Sequence, residues 1–255
     1  MESYTIKEIA LKLEQVNSLK DSFLEEIKKD TRKGVQNLWK KKVNALNKEE
    51  LEREHFLEMM KYENEIKAEG FKLIAGIDEV GRGPLAGPVV AAAVILSDSF
   101  YLPGINDSKQ LSEQKREDYY EFIMREAKSV GIGIVSAEEI DHINIYEATK
   151  KAMNTAINNS SIFPDYCLID AMKLALPIPQ TSIIKGDAKS VSIAAASIVA
   201  KVTRDRLMKE YSNQYPQYHF EKNMGYGTQE HLLALNTYGP CLIHRKSFAP
   251  IKDII

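Results

Sequence analysis

The sequence predicts an α/β fold, a mixed sheet flanked by helices, with a helical extension in front of it. Residues 1–70 are rich in charge, contain no proline and repeat helix-start signals. From residue 71 onward, short apolar runs are followed by longer stretches of helical periodicity. The first two apolar runs come close together and the later ones alternate with helices, which is typical of a mixed sheet. We therefore divide the chain into a helical extension, 1–70, and an α/β domain, 71–255.

Three segments of the extension carry helix-start signals. Thr5–Glu8 and Ser22–Glu25 fit the capping box, and Asn47–Glu50 is a looser version of it. The last helix of the extension is predicted to run over about 48–70, because Gly70 is a typical helix end.

Basic residues at positions 32, 33 and 40–42 surround Trp39 in the middle of the extension. This pattern is consistent with a helix face that contacts phosphates. It is equally consistent with a solvated helix face, because acidic residues are just as numerous nearby.

In the α/β domain, five short apolar runs are predicted to be strands. They are Leu73–Ile77, Val89–Leu96, Val130–Val135, Tyr166–Ile169 and Thr181–Ile184. Flanking prolines and β-branched residues favour strand over buried helix for the second run. Helical patterns cover about 112–127, 137–159 with a break near Asn144, 190–211 and 229–236.

Composition limits the class of protein. The chain has 255 residues, enough for one or two domains, and a formal net charge of -2, which neither requires nor excludes a nucleic-acid partner. Its two cysteines, Cys167 and Cys241, argue against a disulfide framework and for a reducing compartment. The N-terminus, Met1–Thr5, lacks a signal-peptide core and no run is long enough to cross a bilayer. We expect a soluble cytoplasmic protein.

Acidic residues follow three of the predicted strands. Asp78 and Glu79 follow the first strand, Asp170 the fourth and Asp187 the fifth. Loops at strand ends converge in α/β sheets, so we expect these four carboxylates to form one site. An all-oxygen site suits Mg²⁺ or Mn²⁺ better than zinc. Two such ions, ~3.5–4 Å apart, activate a water and hold the leaving oxygen of a phosphodiester.

Each acid also has an ordinary explanation when it is taken alone. Asp78 and Glu79 would be a surface pair in a loop. Asp170 would be a turn residue, and Asp187 would cap the following helix. The repetition of one pattern at several strand ends favours a shared metal site over these separate explanations.

A glycine-rich turn, Gly81-Arg82-Gly83, follows the first two acids. Consecutive strand residues point to opposite faces, so Asp78 and Glu79 share a site only where the strand ends or bends. The glycines supply that bend, and they expose backbone N–H groups to close approach by a phosphate.

Further residues suit contact with an anionic polymer. Ser108 and Lys109 lie in a polar loop after the second strand, and Lys189 lies at a helix N-terminus, itself an anion site. Tyr226, between two glycines, is placed to lie flat against a sugar or base. A half-buried tyrosine in a turn explains Tyr226 equally well.

Two other sets of polar residues are expected to be structural. Ser197, Lys201 and Asp205 share one helix face as scaffold, with Lys201 close enough to reach the site. His231 and His244 have no metal-ligand partner at useful spacing in the sequence, so we expect them to be structural or on the surface.

These motifs resemble those of bacterial ribonuclease HII, the type 2 ribonuclease H, over about residues 72–255. The segments that carry the resemblance are Gly76–Val89, Asn106–Lys109, Ile169-Asp170, Gly186–Ser190, Ser192–Ser197 and Gly225–Thr228. The resemblance implies a ribonuclease H-like fold and endonucleolytic cleavage of RNA in RNA–DNA hybrids. It also implies cleavage on the 5′ side of single ribonucleotides in duplex DNA, leaving a 3′-hydroxyl and a 5′-phosphate.

The same resemblance implies roles for individual residues. The four metal-site acids of the family fall on Asp78, Glu79, Asp170 and Asp187. The turn whose backbone senses the ribose 2′-hydroxyl falls on Gly81, Arg82 and Gly83, and the tyrosine that stacks on the adjoining deoxyribose falls on Tyr226. We expect Mn²⁺ or Mg²⁺, no small-molecule cofactor, and a monomer that acts on hybrid or ribonucleotide-containing duplexes away from membranes.

The extension of roughly seventy residues departs from the many members of this family that begin close to the first strand. We expect it to be a substrate-affinity module. Two other functions stay open: a DNA-specific nuclease of the same fold, and a nucleic-acid-binding protein whose acids are structural. The glycine turn and Tyr226 argue against the first, and the intact acids argue against the second.

Overall fold

The computed structural model describes residues 4–253, and the chain divides into two compact units after Glu58. Met1–Ser3, most of the N-terminus that we used to argue against a signal peptide, lie outside the described residues. The last two residues of the predicted α/β domain, 254 and 255, also lie outside them. The predicted domain boundary at residue 70 falls inside the second unit.

The described part of the first unit is helical. Its helices are α1 (Ile6–Glu14), α2 (Ser22–Ile27) and all but the last residue of α3 (Lys33–Met59). The predicted capping box at Thr5 is present, with the Thr5 N–H donating to the Glu8 carboxylate at 2.8 Å and the Glu8 N–H donating to the Thr5 hydroxyl at 3.3 Å. Asp21 rather than Ser22 caps α2. The predicted helix start at Asn47 is wrong, because the helical pattern on both sides of it carries α3 through without a break.

Trp39 is half-buried within the first unit. Its side chain packs against the buried apolar cluster of this unit, and its indole N–H donates to the Leu24 carbonyl at 3.1 Å. Arg32 is already paired with Asp30 at 2.6 Å and donates to the Tyr4 carbonyl at 2.9 Å. Lys33, Lys40 and Lys41 of α3 are exposed near Trp39, whereas the half-buried Trp39 ring is used in packing within the unit.

The second unit contains a five-stranded sheet with helices around it. The strands are β1 (Ile74–Val80), β2 (Val89–Leu96), β3 (Ala127–Val135), β4 (Tyr166–Asp170) and β5 (Gln180–Ile183). The helices are α4 (Lys61–Ala68), α5 (Glu113–Glu126), α6 (Ala137–Asn158), α7 (Val191–Gln214), α8 (Phe220–Asn223) and α9 (Gln229–Tyr238). The predicted break in α6 is present at Asn144, where φ is 67°. Over residues 4–253, no helix is both long enough and apolar enough to cross a membrane.

The strands lie in the order β3-β2-β1-β4-β5. β1 pairs with β2, and β2 with β3, in antiparallel orientation, whereas β1 pairs with β4, and β4 with β5, in parallel. The prediction of a mixed sheet flanked by helices is confirmed.

Helices α6 and α7 cover opposite faces of the sheet. In β1, Ala75 and Ile77 pack into the apolar cluster that contains the α6 side chains. Ile74 packs instead with Ile193 of α7. Because side chains alternate along a strand, Asp78 shares the α7 face with Ile74.

Gly76 allows α7 to approach β1 very closely. A β-carbon at this position would lie 2.0 Å from the backbone carbon of Ser192, in the first turn of α7. Any side chain there would push the helix away from the sheet. Since Ser197 is five residues further along the same helix, this close approach also sets the distance between α7 and Asp78.

Candidate active site

Asp78 and Asp170 occupy neighbouring positions at the end of the parallel pair β1 and β4. The register pairs Ile77 with Ile169, so the next residue on each strand is one of the two acids. Adjacent strands are about 4.8 Å apart, so these two carboxylates repel each other when both are ionised.

Asp78 is almost fully buried, with 5% of its surface exposed. Burial raises the pKa of Asp78 well above its usual value, and the charges of Glu79 and Asp170 raise it further. Two hydrogen bonds oppose this shift: one from the Ser197 hydroxyl, and one from the Glu79 N–H to Oδ1 at 2.7 Å. These neutral donors fix the carboxylate in place without supplying a full positive charge.

Glu79 is the next residue along β1, and the strand continues past it to Val80. The predicted bend at the glycines is present: the strand ends at Val80, and Gly81 follows it with a φ of +92°. Burial raises the pKa of Glu79, and the charge of Asp170 adds to this shift, so the Glu79 side chain lies within the electrostatic influence of Asp170. A strand end, rather than a break between the two acids, is therefore enough to bring both toward Asp170.

The environment of Glu79 is only partly compensated. Burial is the main cause that raises the pKa of Glu79, and the Arg82 guanidinium, 3.3 Å from Oε1, opposes it. Among the described residues, the other oxygen, Oε2, is buried and has no hydrogen-bond partner. An unpartnered buried carboxylate oxygen carries a desolvation cost that a cation would remove.

Asp187 lies in a short 3-10 helix, Gly186–Ala188, that follows β5. The Gly186 N–H donates to Asp170 Oδ1 at 2.7 Å, which ties this turn to the end of β4. The alternative in which Asp187 caps the next helix is wrong, because the Ser190 hydroxyl caps α7. Burial raises the pKa of Asp187, and the charges of Asp107 and Asp170 add to the shift.

Lys109 brings a positive charge to the edge of this group. Its Nζ lies 3.8 Å from Asp107 and 4.0 Å from Asp187, and its side chain is 77% exposed. Partial burial lowers the pKa of Lys109, but four surrounding carboxylates outweigh that effect and raise it. Asp107, which we did not identify from the sequence, is one of those four. Its position inside the Asn106–Lys109 motif was the available signal.

Ser108 points away from solvent, with 3% of its surface exposed. Its hydroxyl lies 3.0 Å from the hydroxyl of Ser197, which in turn donates to Asp78. Ser108 is therefore placed to orient Ser197 and Asp78 rather than to touch a substrate directly.

The carboxylate cluster, which consists of Asp78, Glu79, Asp170 and Asp187, has the donor chemistry of a divalent-metal site. All of its donors are carboxylate oxygens, which Mg²⁺ and Mn²⁺ prefer. Its members repel one another, so a cation would lower an electrostatic cost that already exists. Within residues 4–253, no three Asp, Glu, His or Cys side chains already stand in a complete metal-ligand arrangement. The residues fit the ion chemically, and binding would draw the side chains closer together.

The Gly81-Arg82-Gly83 turn lies beside Tyr226. A β-carbon on Gly83 would lie 3.8 Å from the tyrosine ring, which is 48% exposed. A β-carbon on Gly81 would lie 2.3 Å from Nε of Arg204, so only glycine fits at this left-handed position. The structure thus brings the predicted turn and the predicted stacking residue together.

Two fully buried arginines, Arg204 and Arg245, support this region, and we did not identify either from the sequence. We call them the arginine pair. Arg204 donates to the carbonyls of Ala86, Pro88 and Met224 at 2.9–3.1 Å. Arg245 donates to the carbonyls of Gly81, Arg82 and Gly87.

Burial lowers the pKa of Arg204 to about 10, and burial together with the charge of Arg204 lowers the pKa of Arg245 to about 9. Both stay protonated at neutral pH.

Glu63 on α4 holds the start of α7. It is 3% exposed, and its Oε1 accepts from the Ser190 hydroxyl at 2.6 Å and from the N–H and hydroxyl of Ser192 at 2.9 and 2.7 Å. Because α7 follows the turn that carries Asp187, α4 takes part in positioning the carboxylate cluster. This contact could not be predicted from the sequence, because Glu63 lies among many exposed acids of similar appearance.

The remaining candidates do not join the carboxylate cluster directly. Lys189 is exposed, and among the described residues it forms no ion pair with the four acids. Lys201 is paired with Asp205 at 2.7 Å. His231 and His244 are buried with their Nε2 atoms 2.9 Å apart, and burial, followed by the charge of His231, lowers the pKa of His244 to about 4. The histidines are structural, as expected.

Comparison with known proteins matches both parts of the chain. A family model described as Ribonuclease HII matches residues 75–251, and one described as Ribonuclease HII N-terminal domain matches residues 5–67. A protein from Bacillus cytotoxicus named Ribonuclease HII is 58% identical over 255 residues, covering 100% of this chain and 98% of that protein. A protein of the same name from Bacillus anthracis is 59% identical, covering 100% and 99%. The crystal structure of the ribonuclease H2 from Pyrococcus horikoshii OT3 matches with a TM-score of 0.60 and 26% identity, covering 72% of this chain and 97% of that one.

Proposed function

Because this chain belongs to the ribonuclease HII family, we propose that its carboxylate cluster carries out the reaction of a type 2 ribonuclease H. The protein is a metal-dependent endoribonuclease. The observation that best supports the placement of the reaction is the cluster itself, which consists of four partly or fully buried acids from three segments. Burial raises the pKa values of Asp78, Glu79 and Asp187, and the charges of neighbouring carboxylates raise them further. Such an arrangement is costly for stability alone and useful for binding cations.

We propose Mg²⁺ or Mn²⁺ as the ion, with Asp78 and Asp170 anchoring it and Glu79 and Asp187 completing the site. The chemistry supplied by bound ions is activation of a water and stabilisation of the leaving oxygen of the phosphodiester. The protein contributes fixed carboxylates: Ser197 holds Asp78, and the Gly186 N–H holds Asp170. Precise placement matters because small displacements of reacting groups cost large factors in rate.

We propose that the substrates are RNA–DNA hybrids and duplex DNA with single ribonucleotides, cleaved on the 5′ side of the ribonucleotide to give a 3′-hydroxyl and a 5′-phosphate. The support is the position of the Gly81-Arg82-Gly83 turn between the carboxylates and Tyr226. Backbone donors beside the reacting phosphate suit recognition of a 2′-hydroxyl, and an exposed ring suits stacking on the next sugar. Lys109 and Lys189 are exposed cations suited to phosphates.

We also propose that the protein acts in the cytoplasm as a monomer. Cys167 and Cys241 are both free thiols, which fits a reducing compartment. Size-exclusion chromatography with light scattering checks the oligomeric state, and a stable dimer would contradict this part of the proposal.

We propose that the N-terminal helical region is a substrate-affinity module, through the lysines on α3. The test must spare α4, because Glu63 holds α7. Deletion of residues 1–58 is expected to raise KM for duplex substrates and to leave kcat within about threefold. Deletion of residues 1–70 is expected to lower kcat as well. An unchanged KM after deletion of 1–58 would show that the lysines are only a solvated surface.

The experiment that tests the function uses three labelled duplexes: DNA with one ribonucleotide, its all-DNA twin, and a long RNA–DNA hybrid. Each is incubated with Mg²⁺, Mn²⁺ or chelator, with the full-length protein and with Asp78→Asn. We expect metal-dependent cleavage just 5′ of the ribonucleotide, lost in the variant. Cleavage of the hybrid alone would contradict the role of the turn and Tyr226. Cleavage of the all-DNA twin would favour a DNA nuclease, and no cleavage would favour a binding protein.

A further inference from the structure

The turn after β1 is held from inside the protein by one arginine. Arg245 has no exposed surface, and its guanidinium donates to the carbonyls of Gly81, Arg82 and Gly87, at 2.9 Å to Arg82 and at 2.9 and 3.0 Å to Gly87. The guanidinium carbon lies 5.0 Å from the centre of the Phe248 ring, which covers it. A charge this deeply buried is normally paired with a carboxylate, but here its donors are used on backbone carbonyls, two of them in the Gly81-Arg82-Gly83 turn and one at Gly87.

Holding these carbonyls fixes the direction of the neighbouring N–H groups. In a trans peptide unit the C=O and N–H bonds point in opposite directions. The Gly81 carbonyl shares its unit with the Arg82 N–H, and the Arg82 carbonyl shares its unit with the Gly83 N–H. Because both carbonyls point inward to Arg245, both N–H groups point outward. Within residues 4–253, neither N–H donates to another group of the protein.

These outward donors face the place where a substrate sugar is expected. On one side, the Arg82 guanidinium lies 3.3 Å from Glu79 of the carboxylate cluster. On the other side, a β-carbon on Gly83 would lie 3.8 Å from the Tyr226 ring. Two adjacent free N–H groups form a concave donor site for an oxygen atom. Ribose offers one more oxygen there than deoxyribose does.

We infer that Arg245 is a positioning residue for sugar discrimination, because it aims the Arg82 and Gly83 N–H groups at the substrate. This inference rests on the proposed function of the turn. When the sugar lacks a 2′-hydroxyl, rigidly held N–H donors are left without a hydrogen-bond partner. The missing hydrogen bonds make binding of deoxyribose less favourable than binding of ribose. A turn free to move would satisfy its N–H groups with water and discriminate less.

Arg204 provides the matched control. It is as deeply buried as Arg245, and it too donates only to backbone carbonyls, but those belong to Ala86, Pro88 and Met224. Its loss removes a comparable set of buried hydrogen bonds without releasing the Gly81 and Arg82 carbonyls.

The experiment compares full-length wild type, Arg245→Lys and Arg204→Lys on two duplexes that differ at one sugar, ribose or 2′-deoxy-2′-fluororibose. Selectivity is the ratio of the kcat/KM value for the ribose duplex to that for the fluororibose duplex. The Mn²⁺ concentration that gives half-maximal activity is measured separately for each variant. We expect Arg245→Lys to lower selectivity by at least about tenfold with unchanged Mn²⁺ dependence. We expect Arg204→Lys to change it by less than about threefold. A general loss of structure would lower both kcat/KM values and leave their ratio alone.

Wild-type selectivity in a folded Arg245→Lys protein would overturn the inference and leave the proposed function intact. A wild type that does not distinguish the two sugars would overturn the proposed function, and the inference with it. If Arg245→Lys does not fold, the inference is tested instead by amide hydrogen exchange on the wild-type protein. Exchange at Arg82 and Gly83 is expected to slow when the ribonucleotide duplex is added in chelator, but not with its all-DNA twin. Equal exchange with both duplexes would overturn the inference.

Discussion

The carboxylate cluster and the arginine pair each bury two or more groups of like charge, but they differ in how completely those groups are hydrogen-bonded within the protein. Burial raises the pKa of Asp78 and Glu79, and it lowers the pKa of Arg204 and Arg245. Each arginine directs its Nε and both Nη atoms to backbone carbonyls. Glu79, in contrast, keeps one buried oxygen without a partner among the described residues.

This difference separates scaffold from reaction site. The arginine pair is satisfied within the protein, so its function is to hold backbone in place. The carboxylate cluster is not satisfied, so it gains from a ligand that carries positive charge. Burial and charge alone do not distinguish the two regions, whereas the count of unmet hydrogen-bonding atoms does.

The largest expected effect comes from neutralising a member of the cluster. Asp170→Asn is expected to lower kcat by about 10³-fold or more, because a missing ligand displaces both the ion and the water. The metal-free variant is expected to be as stable as wild type or more stable, since a repelling charge is gone. Single-turnover kinetics and thermal melting measure the two effects, with the exposed Asp98→Asn as control. More than a tenth of the wild-type rate would contradict the assignment.

The next effect is expected in stability and concerns the arginine pair. Arg204→Met removes the arginine donor from three carbonyls that are buried or partly buried, and it should lower the free energy of unfolding by about 3–5 kcal/mol. Arg206→Met, two residues along α7, removes an exposed arginine paired with Glu117 and Glu121. That control should cost less than about 1 kcal/mol. Urea unfolding measures both variants. Similar losses of unfolding free energy would contradict the claim that the arginine pair stabilises the backbone more than an exposed arginine does.

A smaller effect concerns pH. The pKa values of Asp78, Glu79 and Asp187 are raised in the folded protein, so between about pH 4 and those raised values the native state binds more protons than the unfolded state. The metal-free protein should therefore lose stability as pH rises through this window. A divalent ion competes with these protons, so the gain in Tm from Mn²⁺ should increase with pH. Melting curves from pH 5 to 8 test this, and a gain that falls with pH would contradict it.

Sequence patterns predicted the cluster because its members are local in origin. Each of Asp78, Asp170 and Asp187 follows an apolar run that forms a strand, and convergence at strand ends is a general property of α/β sheets. The site could therefore be predicted from three short segments. The ribonuclease H-like arrangement of those segments came from the resemblance and not from periodicity.

The arginine pair could not be predicted in this way. Arg204 donates to Pro88, 116 residues away, and Arg245 donates to Gly81, 164 residues away. No local pattern specifies which arginine turns inward, because the partners are backbone carbonyls that every residue has. Local patterns also failed at Asn47, where we predicted a helix start. Asn47 is an exposed polar residue inside α3, and in the sequence such a residue resembles an N-cap.

The most direct test of the central claim, that the carboxylate cluster binds a divalent ion, is anomalous diffraction from crystals grown with Mn²⁺. We expect an anomalous peak roughly 2.0–2.6 Å from carboxylate oxygens of Asp78, Glu79 and Asp170 in the wild type. The peak should be absent or much weaker in Asp170→Asn. An active wild type with no peak at the cluster, or an undiminished peak in the variant, would contradict the account.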